Sequence, residues 1–491
     1  MKNIFTFILL ILGMSAGATT YYVDTNGTDS NSGTSVDLPF KTITKALNQV
    51  TPGDSILVRG GIHNYSSTIY ISKSGTENDT CYLFAYPGER PVLNFSGTDF
   101  GKRGISLTGS YWYIKGFDIT KAGDNGLNIS GGSHNTIEFC SFSENKDTGA
   151  QLGGGAHDNT FINCDSYYNA DPTDYGDADG YAPKLDVGSN NKFIGCRAWG
   201  NCDDGWDGYM RGTTNVTTIL ENCWTWGNGW LKDGTNPGSQ ANGNGFKMGG
   251  GDNGNSAMLE HHFYLTNCMA FYNKGKGFDQ NNNVGTMSML NCTAYRNTSS
   301  NFKYYKTLAA GESLIIKNCI SYQGTVDIPD FAVQATNSWL MTTPFSADDF
   351  ASIDTTGISG PRKADGSLPD VSFMHLVSGS VFIDAGTDVG LPYNGSAPDL
   401  GAFEFSANSG FQPAQFDDVK TFFSNGILNI QFSISINEPV NASLYTISGQ
   451  KLYSTSLDQQ VNKITVPGLQ RGIYLLQLGH GRIKKTLKVL N

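Results

Sequence analysis

The sequence predicts an all-β protein: a right-handed parallel β-helix followed by a small C-terminal β-sandwich. Three observations carry the prediction. A unit recurs in which a cysteine is followed by an aromatic, usually three residues on, and by an asparagine five residues on. It reads CSFSEN at Cys140 (aromatic one place early), CDSYYN at Cys164, CRAWGN at Cys196 and CWTWGN at Cys223. It continues as CMAFYN at Cys268 and CTAYRN at Cys292, and fades into CISYQG at Cys319. Secondly, strand-length runs precede these units: NTIEFC, NTFINC, NKFIGC, TILENC, FYLTNC, MSMLNC and LIIKNC. They are rich in Ile, Phe and Thr, bounded by Gly/Asn turns, and usually spaced in the twenties of residues, the signature of a solenoid. Thirdly, 60 of 491 residues are glycine and only 16% are charged. That composition suits short strands joined by tight turns, where Gly and Asn supply positive φ, and not long helices.

The N-terminus, MKNIFTFILLILGMSAGATT, combines one lysine, an apolar run from Ile4 to Leu12 and the small residues Ala16-Gly17-Ala18. Residues 1–18 read as a secretory signal peptide, too short for a membrane span. The mature chain opens with a short strand and a polar loop. A helical stretch from Ile43 to Val50, ended by Thr51-Pro52-Gly53, is expected to cap the first coil, since an open sheet end invites aggregation. The β-helix is assigned to residues 19–405, its repeat dissolving after about Thr325. Residues 406–415, rich in Gly, Ser, Pro and Gln, read as a linker. The alternating strands of 416–491 make a separate β-sandwich.

Right-handedness follows from the usual hand of a strand–crossover–strand connection. Stacked coils bring equivalent residues about 4.8 Å apart. The asparagines Asn145, Asn169, Asn201, Asn228, Asn273 and Asn297 then form an internal amide ladder. Seven of the nine cysteines share one repeat position. Their parallel Cβ vectors suit a buried stack of free thiols better than disulfides. Cys81 and Cys202 lie outside that ladder.

A second anchor, a Gly-aromatic pair, follows each asparagine: Gly180-Tyr181, Gly205-Trp206, Gly245-Phe246 and Gly277-Phe278. In this register Asp179 and Asp204 are equivalent, each directly before the glycine. Asp207 and Lys247 are equivalent too, each two residues after it. Asp179, Asp203, Asp204, Asp207 and Lys247 are thus expected on one face within a few ångströms. Two gaps between ladder cysteines are long: Cys196 follows Cys164 by 32 residues and Cys268 follows Cys223 by 45. The inserted loops, Asp171–Asp177 and Leu231–Gln240, flank the acidic and lysine segments and are expected to wall a groove.

Four carboxylates with little basic company suit a hard cation, and Ca²⁺ takes six to eight oxygen ligands. No EF-hand spacing is present, and seven scattered histidines with stacked cysteines offer no obvious zinc set in the sequence. The plain alternative, that these aspartates merely end Asp-Gly turns, explains one such pair better than four in register. Lys247 beside a cation would have its ammonium disfavoured and serve as a general base. A cation plus a base suits β-elimination on a uronic acid, leaving a 4,5 double bond. Lys184, Arg211, Lys274 and Arg296 are candidates for binding further substrate carboxylates. Trp206, Tyr209, Trp226 and Trp230 could stack on sugar faces, though an aromatic ladder is the more ordinary role for Trp226. The net charge of −11 disfavours nucleic acid as a partner, while an acidic polymer stays open if a cation bridges it.

DADG, CDDGWDG and NGFKMGG in a Cys/Asn-laddered β-helix resemble polysaccharide lyase family 9, the calcium-dependent pectate and rhamnogalacturonan lyases. The resemblance covers roughly Tyr21 to Phe405. It implies Asp179, Asp203, Asp204 and Asp207 as calcium ligands and Lys247 as the Brønsted base. The segments ASLYTISGQKLYST, GLQRGIYLLQL and KKTLKVL resemble a type IX secretion sorting domain, which implies secretion machinery as a partner and an extracellular or cell-surface enzyme; an ordinary carbohydrate-binding sandwich is the alternative for this segment, and a monomer is expected. The expected substrate is pectic, either homogalacturonan or rhamnogalacturonan I, with an aromatic-rich groove tilting toward the latter. Two rivals remain open at this point: a β-helix polygalacturonase using an aspartate pair, and a non-catalytic secreted glycan-binding adhesin.

Overall fold

The computed structural model describes residues 17–251, 259–406 and, within 419–490, all but 425–426, 433–439, 447–449, 458, 467–468, 471 and 481–482. The signal-peptide core and most of the linker therefore lie outside the described residues.

Three parallel sheets, of 12, 10 and 10 strands, run the length of the main unit. Each coil contributes one strand to each sheet, for example Asn191–Ile194, Arg197–Trp199 and Trp206–Asp207. The corner between the first two strands is the repeat cysteine and the residue before it. That preceding residue is left-handed in every coil from Phe139 (φ 51°) through Asn163, Gly195, Asn222, Asn267 and Asn291 to Asn318 (φ 56°). Asn and Gly tolerate this region at little steric cost, which is why the runs end in NC or GC. All nine cysteines are free and buried. Their thiols point at carbonyls, as Cys223 Sγ does at Phe193 O (3.3 Å).

The next corner is held by the asparagines. Each side-chain amide donates to the carbonyl oxygen of the next: Asn145 to Asn169, Asn169 to Asn201 and Asn228 to Asn273 at 2.9 Å, Asn201 to Asn228 at 3.0 Å. Each carbonyl also accepts the backbone N–H of the previous member, as Asn228 Oδ1 does from Asn201 N (3.1 Å). Buried turn backbone that water cannot reach is satisfied in this way. A second ladder at the third corner links Asn135, Asn159 and Asn191.

Inside, the aromatics of the Gly-aromatic pairs stack along the axis. Ring centroids are 4.8 Å apart for Tyr181–Trp206, 5.0 Å for Trp206–Phe246 and 5.2 Å for Phe246–Phe278. The N-terminal end is closed by the helix Ile43–Gln49, N-capped by Thr42, which accepts from Lys45 N and buries Ile43, Ala46 and Leu47. The segment after the last coil returns over the outside of the coil. Arg362 donates to Asp165 (2.6 Å), and Arg197 donates to both Asp165 (2.8 Å) and Gly360 O (3.0 Å).

A second unit takes residues 346–359, 370–380 and 405–491. Its antiparallel sheets, Lys420–Ser424 with Ile427–Gln431 and Val461–Thr465, and Lys451–Leu457 with Val440–Thr446, Ile473–His480 and Ile483–Leu490, share a core that includes Ile430, Leu444 and Leu478.

Candidate active site

The acidic and lysine segments meet on the outer face of the ten-stranded sheet that runs from Ile69–Ile71 to Val326–Asp327. Trp206 pairs with Phe246 and Asp207 with Lys247; Tyr181 pairs with Trp206. Because side chains alternate across a strand, the rings point inward while Asp207 and Lys247 point outward. Oxygens of Asp179, Asp204 and Asp207 lie within 4.8 Å of one another. Asp203 stands just outside that set. Its Oδ1 accepts from Asn242 N (2.5 Å), while its buried Oδ2 has no hydrogen-bond partner.

Backbone and side-chain donors orient the cluster. Asp179 Oδ1 accepts from Asp204 N (3.1 Å), and Asp207 Oδ1 from Tyr209 N (3.0 Å). Asp204 Oδ1 accepts from both Asn244 N (2.6 Å) and Asn244 Nδ2 (2.9 Å). Two ammonium groups sit on the carboxylates. Lys247 Nζ is 3.0 Å from Asp204 Oδ2 and 3.3 Å from Asp207 Oδ1. Lys184 Nζ is 2.8 Å from Asp179 Oδ2 and 3.5 Å from Asp207 Oδ2. Both amines reach one cavity of about 420 Å³, which Arg103, Asp147, Gln151, Tyr209 and Arg211 also line.

Four buried carboxylates against two ammonium groups leave two formal negative charges uncompensated. Desolvation first, and then repulsion from neighbouring aspartates, pushes Asp179 and Asp203 well above the usual carboxylate range. Asp204 is also raised by burial, against the pull of Lys247. At Asp207 burial is the largest influence, but Lys247 and Lys184 together outweigh it and hold the carboxyl below its ordinary value. Such a site fits a hard cation: all four side chains are oxygen donors, they carry excess negative charge, and Asp203 Oδ2 is buried and bare.

For Lys247 the protein's own groups act opposite to the expected lowering. Burial opposes its charge, yet Asp204 and Asp207 outweigh burial and hold its pKa well above the usual value. Only added positive charge in the cradle would reverse that balance.

Of the four expected substrate cations, two reach this cavity. Lys184 does so with its amine already on Asp179; Arg211 does so from its edge, stacked over Tyr209 at 5.3 Å. Lys274 instead donates to Gly238 O (2.7 Å) and ties down the inserted loop, beside Trp230. Arg296 is bonded to Gln323 and lies over Tyr295, on a different sheet. The aromatic reading changes as well. Trp206 is completely buried in the axial stack, and Trp226 is sandwiched between Trp199 (4.9 Å) and Phe271 (5.4 Å) on another sheet. Among the described residues, Tyr209 is the one aromatic lining the cavity.

Several participants were not singled out from sequence. Asn244 occupies the repeat position of Asp179 and Asp204, directly before Gly245, so the same register would have found it. Asp279 pairs with Lys247 one coil on, bonded to Lys276 at 3.0 Å. Asp147, half-buried beside Lys184 and hydrogen-bonded to Asp124, is pushed up to about 7 by desolvation; no motif marks it.

Residues 21–325 match the family model described as the Pel9A-like, right-handed β-helix region. The chain belongs to that family. It is 38% identical over 396 residues to pectate lyase L of Dickeya dadantii (strain 3937), covering 78% of this chain and 90% of that protein. It is 40% identical over 371 residues to pectate lyase L of Paenibacillus polymyxa (strain SC2), covering 70% and 79%. The solved structure of pectate lyase Pel9A superposes with a TM-score of 0.72 at 37% identity, covering 80% of this chain and 97% of the other. A rhamnogalacturonan lyase superposes with a TM-score of 0.63 at 26% identity, covering 74% and 97%. Residues 424–490 match a secretion-system C-terminal sorting domain, and the protein is accordingly secreted or on the cell surface.

Proposed function

We propose that this Pel9A-like protein cleaves the galacturonate backbone of pectin by calcium-assisted β-elimination with Lys247 as base. The observation that carries the reading is the approach of Lys247 Nζ to Asp204 (3.0 Å) and Asp207 (3.3 Å) at the wall of an open cavity. Asp179, Asp203, Asp204 and Asp207 would hold the cation, which when bound would neutralise a uronate carboxylate and make its α-proton more acidic. The Lys247 amine, once it has released its own proton, takes the C5 hydrogen. The C5–H electrons form the C4=C5 double bond, the C4–O4 bond breaks, and O4 takes up a proton. Arg211, at the cavity edge, binds a neighbouring uronate, whereas Lys184 chiefly holds Asp179 and Asp207 in place. Homogalacturonan is favoured over rhamnogalacturonan I, because Trp206 and Trp226, two of the aromatics that argued for a rhamnose-accepting groove, are committed elsewhere and the pectate lyases are the more identical relatives.

The test is to incubate the purified protein with each polymer, with and without EDTA, and to follow ultraviolet absorbance of the unsaturated uronide together with reducing ends. The expected result is absorbance on homogalacturonan, lost with chelator and restored by calcium. Reducing ends without absorbance would make the protein a hydrolase. Polymer binding with neither signal would make it a glycan-binding adhesin.

A further inference from the structure

Outside the acidic cavity, one cluster of metal-ligating side chains stands apart in its chemistry. His134, His157 and Asp158 lie at the corner after the ten-stranded sheet, and their ligand atoms are all within 4.8 Å of one another. Two imidazoles and a carboxylate form a borderline donor set, unlike the all-oxygen aspartate cradle. Such a set suits zinc and its late first-row neighbours and disfavours calcium. We infer that His134, His157 and Asp158 form a second metal site, selective for a divalent transition cation such as Zn²⁺, that staples two successive coils together.

The fold prepares the geometry. His134 and Asp158 are both left-handed, with φ of 57° and 54°, and each is followed by an asparagine of the third-corner ladder. Asn135 Nδ2 donates to Asn159 Oδ1 at 2.9 Å, and His134 N to His157 O at 3.3 Å. The two corners are clamped one strand spacing apart, so little chain entropy remains to be lost when a cation joins them. His157 Nδ1 lies 2.7 Å from Asp158 Oδ2, so these two ligand atoms already face each other. The His134 and His157 rings meet nearly edge-on, with centroids 5.7 Å apart and planes at 85°. Both histidines are exposed, so a cation can enter and water can complete its coordination. A second group, Glu260, His262 and Glu312, is more enclosed and carries two carboxylates with one imidazole. There Glu312 Oε2 already accepts from Thr286 N and Oγ1, and His262 Nε2 is taken by Asn215.

The plain alternative is a surface ring stack, since Tyr111 also lies 4.8 Å from His134. Metal titration of the full-length protein separates the two. With calcium in excess to occupy carboxylate sites, ZnCl₂ is titrated calorimetrically, and CoCl₂ is followed by its visible absorption. The site predicts one Zn²⁺ bound per chain, a higher thermal midpoint with zinc, and Co²⁺ bands of low coordination number. His134→Ala and His157→Ala should each weaken zinc binding by more than about tenfold, the loss seen even for an outer-shell partner, while leaving lyase activity intact. Asp158→Asn tests the third ligand with a residue that tolerates the same φ. Absence of zinc uptake, uptake unchanged in both histidine variants, or uptake lost only in Asp204→Asn would each overturn the assignment.

Discussion

Lys247 shows what a single side chain gains from its neighbours. It lies one coil from Asp207 and contacts Asp204, so its charge is held by the residues that would also cradle a cation. Lys247→Ala is expected to lower the rate of double-bond formation about 10²–10⁴-fold, the range of a positioned base, with the far-ultraviolet spectrum unchanged. His261 gives a pH-dependent prediction. Burial depresses its pKa to about 4, while its ring spans Gly208 O (2.9 Å) and Thr218 Oγ1 (2.8 Å). Between the ordinary value of 6.5 and 4, the unfolded chain takes up a proton that the folded protein refuses. Stability from this group is therefore present above pH about 6.5 and falls as the pH drops toward 4, by roughly 3 kcal/mol at most. Denaturant midpoints measured across that window should decline less steeply in His261→Gln than in the parent.

At the level of the coil, identity of position matters more than identity of residue. The glycine before each inward aromatic is required by close approach. A Cβ on Gly205 would meet Thr225 Oγ1 at 2.0 Å and the Gly245 carbonyl oxygen at 2.6 Å. The asparagine ladder bears on stability directly. Asn228 accepts from Asn201 N and Nδ2 and donates to Asn273 and Thr225. Asn228→Ala strips partners from buried donors, each loss costing about 1–3 kcal/mol. Urea unfolding should show a loss of at least about 2 kcal/mol, where substitution of an exposed loop serine shows almost none. The first amide ladder and the thiol stack were legible because each repeats at fixed offsets. The Asn135–Asn159–Asn191 ladder was equally periodic, since each asparagine lies five residues before its cysteine, and it went unread.

On the scale of the molecule, the active cavity belongs to the β-helix unit, and residues 424–490 match a sorting domain with its own apolar core. A chain ended at residue 415 should keep its lyase activity when purified and lose export from its host. Activity in the culture medium, compared with activity in lysates, checks both halves of that expectation.

Repeat spacing by itself determined the coil architecture, the free thiols and the gathering of Asp179, Asp204 and Asp207 with Lys247 on one face, because a solenoid converts equal register into contact at the strand spacing. Tertiary structure alone decided which cations serve the site and which aromatics are free to meet sugar. Lys274 and Arg296 share the repeats but turn to a loop and to another sheet, and Trp206 turns inward. Those outcomes depend on the path of inserted loops and on the face a side chain occupies, and neither is periodic in the chain.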